Sequence, residues 1–343
     1  VDIKRTRKDI KMVKKKRRRR SLLIFILTIF IAGLGYAGYV GYHAYKAVDK
    51  SYKKVNGREG KSEMREKPVY VSSDPFSILL LGIENYSSKY DKGRSDTIMV
   101  ATFNPKEQTM KLLSIPRDTL VRIPGYKKDK INAAYAFGGK EETIKTVEQF
   151  LDIPIDYYAT VNFDGFKNIV DIVGGVTVDV PFDFNDINNK WKRFYFHEGP
   201  QKLNGEAALV YARMRKQDPR GDFGRNDRQR QIVSAVIDEL STPKTLLKMD
   251  DISDAIGNNV ETNMKISEAL AFRQKYSDFN SSKIEQLQIK GYDDNGRVYY
   301  FIPDEEKLEE IKNILKTHLE IIPEQNQTTD ATNRTDSNQN EQQ

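Results

Sequence analysis

The stretch "SLLIFILTIFIAGLGYAGYVGY", Ser21 to Tyr42, holds no charged residue, in a chain in which 31% of residues are charged. As a helix, such a run spans roughly 33 Å, enough for a hydrocarbon core of about 30 Å. Tyr36, Tyr39 and Tyr42 fall towards its end, where amphipathic rings favour the membrane interface. The twenty residues before it carry twelve Lys or Arg against Asp2 and Asp9, a local net charge of +10. Positive charge marks the cytoplasmic side, so the chain from residue 43 onward is expected outside the cytoplasm. A cleaved signal peptide would have a shorter apolar core, about 7–15 residues. The expectation is therefore an uncleaved single-span anchor at the cell membrane.

This topology changes the reading of charge. The whole chain is +7, and the part after residue 20 is −3. The high isoelectric point thus belongs to the cytoplasmic tail and gives no reason to expect nucleic acid. The chain has no cysteine, so thiol chemistry and disulfides are excluded. The expected organisation is a basic tail at 1–20, a transmembrane helix at 21–42 and a Lys-, Glu- and Ser-rich linker at 43–74. One globular domain follows at 75–322, then a polar tail at 323–343 that cannot bury enough surface to order itself.

Within the domain, short β-branched or aromatic runs such as "SILLLGI", "TIMVATFN", "TMKLLSI", "YYATVNF", "VTVDV", "IEQLQIK" and "RVYYFI" read as strands. They alternate with helix-spaced runs such as "KEETIKTVEQFL", "DGFKNIVDIV", "NGEAALVYARMR", "RNDRQRQIVSAVIDEL", "TLLKMDDISDAI" and "EEKLEEIKNILKTHL". "FNPKEQT" between two strands reads as a hairpin turn, so the sheet is not purely parallel. The fold class is α/β, a mixed central β-sheet with helices on both faces.

The chemistry concentrates in "RGDFGRNDRQRQ", residues 220 to 231, where four arginines crowd together with Asp222 and Asp227. Arg225, Arg228 and Gln229 share one helix face on the first turns, and a stripe of Ile232, Val233, Val236 and Leu240 docks the helix. The first turn of a helix also attracts anions through its free N–H groups. "YARMRK" places Arg213 and Arg215 just before this helix; "KGRSDT" places Arg94 and Asp96 at a strand start; "SIPRDT" places Arg117 and Asp118 at a strand exit. Ends of adjacent strands converge on sites in open α/β sheets. Guanidinium forks recognise phosphate, each charge-assisted bond contributing about 1.5–3 kcal/mol. Several of them around a diphosphate would be compensated; alone they repel.

The acids point to a divalent cation. Asp96, and Glu84 of "LGIEN", offer hard oxygen ligands at strand ends, which suits Mg²⁺ with phosphate completing the shell. His43, His197 and His318 are scattered, which argues against a histidine zinc site. The chain contains neither a G-x-S-x-G elbow nor a P-loop. The tripeptide at 220–222 matches an adhesion motif, but three residues recur too easily by chance to carry that reading.

Taken together and in order, "LLLGIE", "GRSDTIMVATFNP", "KLLSIPRDT", "INAAYAFGG", "VNFDGFKNIVDIVGGV", "LNGEAALVYARMRKQD" and "GDFGRNDRQRQ" resemble the LytR-CpsA-Psr family over about residues 77–242. The resemblance implies a phosphotransferase that moves an anionic glycopolymer, wall teichoic acid or capsule, from a polyprenyl-pyrophosphate carrier to N-acetylmuramic acid of peptidoglycan. Carried over by motif, Arg94, Arg117, Arg213, Arg215, Arg225 and Gln229 would bind the pyrophosphate. Asp96 and Glu84 would hold Mg²⁺, or Mn²⁺ in its place, and Asp222 would support the arginines. The catalytic set is then Asp96, Arg117, Asp222 and Arg225, with Asp118 and Asp222 both candidates for the general base. The family more often has Asp at the place of Glu84, whose extra methylene carries the carboxylate further. "NAAYAFGG" and "FDGFKNIVDIVGGV" would wall an apolar pocket for the prenyl tail. Two rival readings stay open at this point: a lipid pyrophosphatase using the same site, and a non-catalytic wall-polymer-binding membrane regulator.

Overall fold

A computed structural model describes residues 51–83, 93–240, 242, 259–276 and 279–321. The expected cytoplasmic tail, membrane span, Glu84, the helix expected from Thr245 to Ile256 and the polar tail lie outside the described residues. Among the described residues, no helix is long and apolar enough to cross a membrane.

The strands are β1 (Phe76–Ile83), β2 (Ser95–Asn104), β3 (Thr109–Ser114), β4 (Leu120–Arg122), β5 (Lys128–Lys130), β6 (Tyr157–Asn162), β7 (Val176–Val180), β8 (Phe184–Ile187), β9 (Arg193–Phe196), β10 (Gly199–Leu203), β11 (Val260–Thr262), β12 (Ile284–Gln288), β13 (Gly291–Asn295) and β14 (Tyr299–Pro303). The helices are α1 (Ala133–Leu151), α2 (Phe163–Ile172), α3 (Gly205–Arg213), α4 (Asp222–Leu240), α5 (Ile266–Lys275) and α6 (Glu305–His318).

Six strands form the main sheet in the order β11-β6-β1-β2-β3-β12. β1 runs parallel to β6 and antiparallel to β2, and β3 is antiparallel to β2 and parallel to β12, so the sheet is mixed as expected. The expected hairpin turn joins β2 to β3. Asn104 Oδ1 accepts from Lys106 N at 3.0 Å and Glu107 N at 3.3 Å, which starts the reversal.

Alternation along the strands divides the core. On one face Leu79, Leu81, Ile98 and Val100 meet Ile144 and Val147 of α1 and Leu308, Ile311 and Leu315 of α6. On the other, Phe76, Met99, Ala101 and Phe103 meet Phe272 of α5 and Val233 and Ile237 of α4. Each fully buried side chain of this kind contributes roughly 1.5–3 kcal/mol relative to exposure. A further core lies between β7, β10 and helices α2 and α3, where Ile232 of α4 also packs. The expected stripe on α4 therefore serves two cores, with Leu240 at its end exposed. Asn162 and Asn204 start α2 and α3 by accepting from Gly165 N at 2.7 Å and Ala207 N at 2.9 Å.

The segment expected to be a tether differs from its described part. Residues 51–74 pack on the domain, because two of their arginines find buried carboxylates. Arg65 grips Asp156 with Nε at 3.0 Å and Nη2 at 2.9 Å. Arg58 pairs with Glu148 and donates to Ile155 O at 2.9 Å, while Ser62 Oγ donates to the same Glu148 at 2.6 Å. Polar composition read as solvated linker is here a strap held by ion pairs.

His318, at the end of α6, is buried between the β2 and β3 hydroxyls of Thr102 at 2.7 Å and Thr109 at 2.9 Å. Burial first, and Lys111 second, lower its pKa to about 4, against the opposing pull of Glu107 and Glu285. The unfolded chain takes up this proton near pH 6.5, the folded chain only near pH 4. Stability present at neutral pH is thus lost as the pH falls through that window, roughly 2 kcal/mol by pH 5. Urea unfolding of wild type and His318→Gln at pH 7 and pH 5 should show this loss in wild type and a smaller one in the variant.

Candidate active site

The carboxyl ends of β1 and β6, those of β3 and β12, and the start of β2 lie at one end of the sheet. Chain reversals there place the charged side chains. After β3, Pro116 opens a turn in which Thr119 N donates to Pro116 O at 3.0 Å. The residues between are clamped from outside: Asn132 N donates to Arg117 O at 3.2 Å and Phe301 N to Asp118 O at 2.9 Å. Arg117 and Asp118 therefore stand on fixed backbone. The first turn of α4 is fixed by Phe223, whose ring meets Phe301 of β14 edge-on at 5.4 Å. Gly221 just before it has φ 55°, the left-handed region, which explains glycine in "RGD".

Four elements converge here. Arg117 Nη1 donates to Asp96 Oδ1 at 2.6 Å, and Arg117 Nε lies 3.5 Å from Asp118 Oδ2. Asp118 is buried and also takes Lys130 Nζ at 2.6 Å. Asp222 accepts from Arg225 Nη2 at 2.7 Å, and its other oxygen lies 3.1 Å from Arg215 Nε without the alignment of a hydrogen bond. Burial works against the charge on Arg117, but the bond to Asp96 and the fields of Asp96, Asp222 and Asp118 outweigh it and raise its pKa. Arg225 goes the other way. Burial comes first and Asp222 opposes it, but Arg117 and Arg215 add repulsion and its pKa is lowered. Each of these arginines thus lies in the field of Asp222.

The cluster sets four cations against three carboxylates, and its donors are not exhausted. Nε of Arg117 and Nε of Arg225 are buried and make no hydrogen bond among the described residues. A buried charged donor without a hydrogen bond is costly, so neither guanidinium is fully compensated by the protein.

Asp96, Arg117, Arg215, Asp222 and Arg225 come together as expected from sequence. Arg94 is exposed, directly before β2. Gln229 Nε2 reaches back to Ala212 O at 3.4 Å. Arg213 stacks on Phe163, 4.6 Å from its ring centroid, and donates to Asn189 Oδ1 at 3.2 Å. It parts from Arg215 because α3 ends there, and Met214 has an extended backbone.

Arg228, expected on the same face as Arg225, is fully buried instead. It pairs with the buried Asp218 and donates from Nε to Tyr211 O at 3.1 Å and from Nη2 to Met214 O. This arginine holds the α3–α4 corner that aims Arg215 and Arg225. The "RGD" side chains are likewise consumed internally, Arg220 by Asp227 and Asp222 by Arg215 and Arg225. Sequence reasoning missed Lys130 and Tyr299. Lys130 lies 5.5 Å from the Tyr299 ring centroid, and Tyr299 donates to Asp293 at 2.8 Å. The signal for Lys130, a charge run "KKDK", reads equally as solvated surface.

Of the expected metal ligands, Asp96 is described and Glu84 is not. Among the described residues, no three His, Asp or Glu side chains gather into a closed metal site. Mg²⁺ needs only one or two carboxylates when phosphate and water supply the rest. Asp96 fits that donor set.

A sequence model described as the LytR_cpsA_psr family matches residues 38–317, so the chain belongs to that family. Among its relatives, the polyisoprenyl-teichoic acid–peptidoglycan teichoic acid transferase TagV of Bacillus subtilis (strain 168) is 48% identical over 318 residues, covering 90% of this chain and 81% of the relative. The crystal structure of B. subtilis TagV matches with a TM-score of 0.66 at 52% identity, covering 73% of this chain and 99% of that one. The LytR-CPS2A-psr family protein YwtF (TagT), solved with bound octaprenyl pyrophosphate lipid, matches with a TM-score of 0.61 at 34% identity, covering 78% and 100%.

Gly224 gives the corner its test. A methyl group there would overlap the carboxylate of Asp218, the partner of Arg228. Gly224→Ala should cost roughly 3 kcal/mol in urea unfolding, the scale of a broken buried ion pair. A loss below about 1 kcal/mol would mean that the pair does not hold the corner.

Proposed function

We propose that the chain is a membrane-anchored phosphotransferase that moves an anionic glycopolymer from a polyprenyl-pyrophosphate carrier to peptidoglycan. The observation that carries this reading is the convergence of Arg117, Arg215 and Arg225 on Asp96 and Asp222, with Arg225 buried, Arg117 partly exposed and both within the field of Asp222. The names of the relatives and the lipid bound in one of them point to the same chemistry. Residues 1–42 would supply the cytoplasmic tail and the single span, leaving the domain outside the cell beside its lipid substrate.

Arg117, Arg215 and Arg225 bind the diphosphate, and Asp96 and Asp222 hold them at the required spacing before substrate arrives. Preorganised positive charge of this kind acts where negative charge grows in the transition state. The acceptor sugar hydroxyl attacks the phosphorus bonded to the polymer. The new P–O bond forms as the bridging P–O bond to polyprenyl phosphate breaks, and the arginines take up the charge of that leaving group. The hydroxyl proton passes to a carboxylate of the cluster, for which Asp118 and Asp222 are the candidates. Mg²⁺ or Mn²⁺ belongs to the proposal. Asp96 and Glu84 would hold it, and it would neutralise phosphate oxygens that the cluster's small excess of positive charge leaves uncompensated.

The test uses the full chain in bilayer nanodiscs with a lipid-pyrophosphate-linked glycopolymer, with and without peptidoglycan. Polymer joined to peptidoglycan is expected. Polymer monophosphate formed equally without acceptor would assign a pyrophosphatase instead, and binding without turnover a regulator. Arg117→Ala and Arg225→Ala should each lower transfer about 100-fold or more, the scale for losing one transition-state donor, with near-native circular dichroism. Wild-type transfer by both would refute the assignment. Chelation of divalent ions should suppress transfer, and added Mg²⁺ should restore it.

A further inference from the structure

A cavity of about 580 Å³ lies between α2, α3 and the β8–β9 hairpin, with Arg213, two residues before Arg215 of the arginine cluster, in its lining. This is within the roughly 300–1,000 Å³ of small-molecule sites. At its rim stands Trp191, 82% exposed. An indole left in water gains nothing for the core. Its backbone also lies at φ 61°, a region that disfavours bulky side chains.

The hairpin tip is built to hold it there. Asn188 N donates to Lys192 O at 3.0 Å, and Trp191 N donates to Asn188 O at 3.0 Å. Asn188 Oδ1 accepts from Lys190 N and Lys192 N, each at 2.9 Å. Its amide then donates to Glu206 Oε1 of α3 at 3.0 Å, which ties the tip to the cavity floor. These bonds fix the backbone of the tip, and an exposed aromatic carried on a strained but fixed backbone at a cavity rim suggests a ligand.

The lining fixes the kind of ligand. Asp164, Asp186 and Glu206 are matched by Lys167, Lys190 and Arg213, and Asp164 pairs with Lys167 at 2.9 Å. Balanced donors and acceptors under an aromatic ring suit the hydroxyl rim and apolar face of a sugar. A polyphosphate chain would need an excess of positive charge. We propose that this cavity is a saccharide subsite in which Trp191 stacks on a pyranose ring of the glycan reaching the arginine cluster. The inference rests on the transferase reading, which brings two glycans to this end of the molecule: the acceptor strand and the sugars next to the donor diphosphate.

Trp191 is the only tryptophan of the chain, so its emission reports this cavity directly. The full chain is titrated separately with peptide-free peptidoglycan glycan strands, with a short-prenyl pyrophosphoryl N-acetylglucosamine, and with a glycerol phosphate polymer lacking sugars. A saturable blue shift with either saccharide probe, and none with the polymer, is expected; the probe that responds identifies the source. No shift with either saccharide, or an equal shift with the sugar-free polymer, overturns the proposal. In transfer assays, Trp191→Ala should raise KM for the responding substrate about tenfold or more, with a much smaller change in kcat, and Trp191→Phe should restore most of it. An unaltered KM overturns the subsite and leaves the transferase reading standing. A chain that transfers nothing overturns that reading, while the emission still tests the subsite.

Discussion

A guanidinium group cannot be buried without a carboxylate or a set of carbonyls to meet it, and this requirement organises the functional end of the molecule. Arg228 meets Asp218 and two backbone carbonyls, Arg225 meets Asp222, and Arg117 meets Asp96. The first pair is closed, so it fixes the α3–α4 corner. The other two are incomplete, since a buried donor of each arginine has no hydrogen bond among the described residues. The satisfied Arg228 and the incompletely satisfied Arg225 stand three residues apart on one helix, and Arg117 comes from the turn after β3.

The scaffold supports this division. The mixed sheet ends in turns whose backbone is clamped by strands and loops from elsewhere in the chain, as at Arg117–Asp118. The aromatic contact between Phe223 and Phe301 sets the first turn of α4 against β14. The strap of residues 51–74 binds the chain that follows the expected membrane span to the body of the domain through Arg58 and Arg65.

Five of the six strands of the main sheet and its helices were legible in the sequence because their apolar residues alternate or recur at helical spacing, whereas the edge strand β11, of three residues, was not. The hairpins β4–β5 and β8–β9 and the strand β13 were not, because "KDK", "FNDI" and "GYDDN" carry little apolar signal. Arginine–acid pairs at four element ends gave the site, and Asp96, Arg117, Arg215, Asp222 and Arg225 do meet. Spacing could not separate Arg225 from Arg228, since their difference lies in Asp218 and the α3 carbonyls beneath the helix. Nor could it separate Arg213 from Arg215, because the helix ends between them. Lys130 was hidden in a run of charges that reads equally as solvated surface. Composition misjudged residues 51–74, where two buried acids outweighed a polar sequence.

The most direct measurement is a double-mutant cycle between Arg117 and Arg225, read as the affinity of the full chain for farnesyl pyrophosphate by calorimetry. If both guanidinium groups grasp one diphosphate, the losses from Arg117→Ala and Arg225→Ala should couple by roughly 1 kcal/mol or more. Losses that add to within about 0.3 kcal/mol would mean that the two arginines do not share a ligand, and would contradict a single diphosphate pocket.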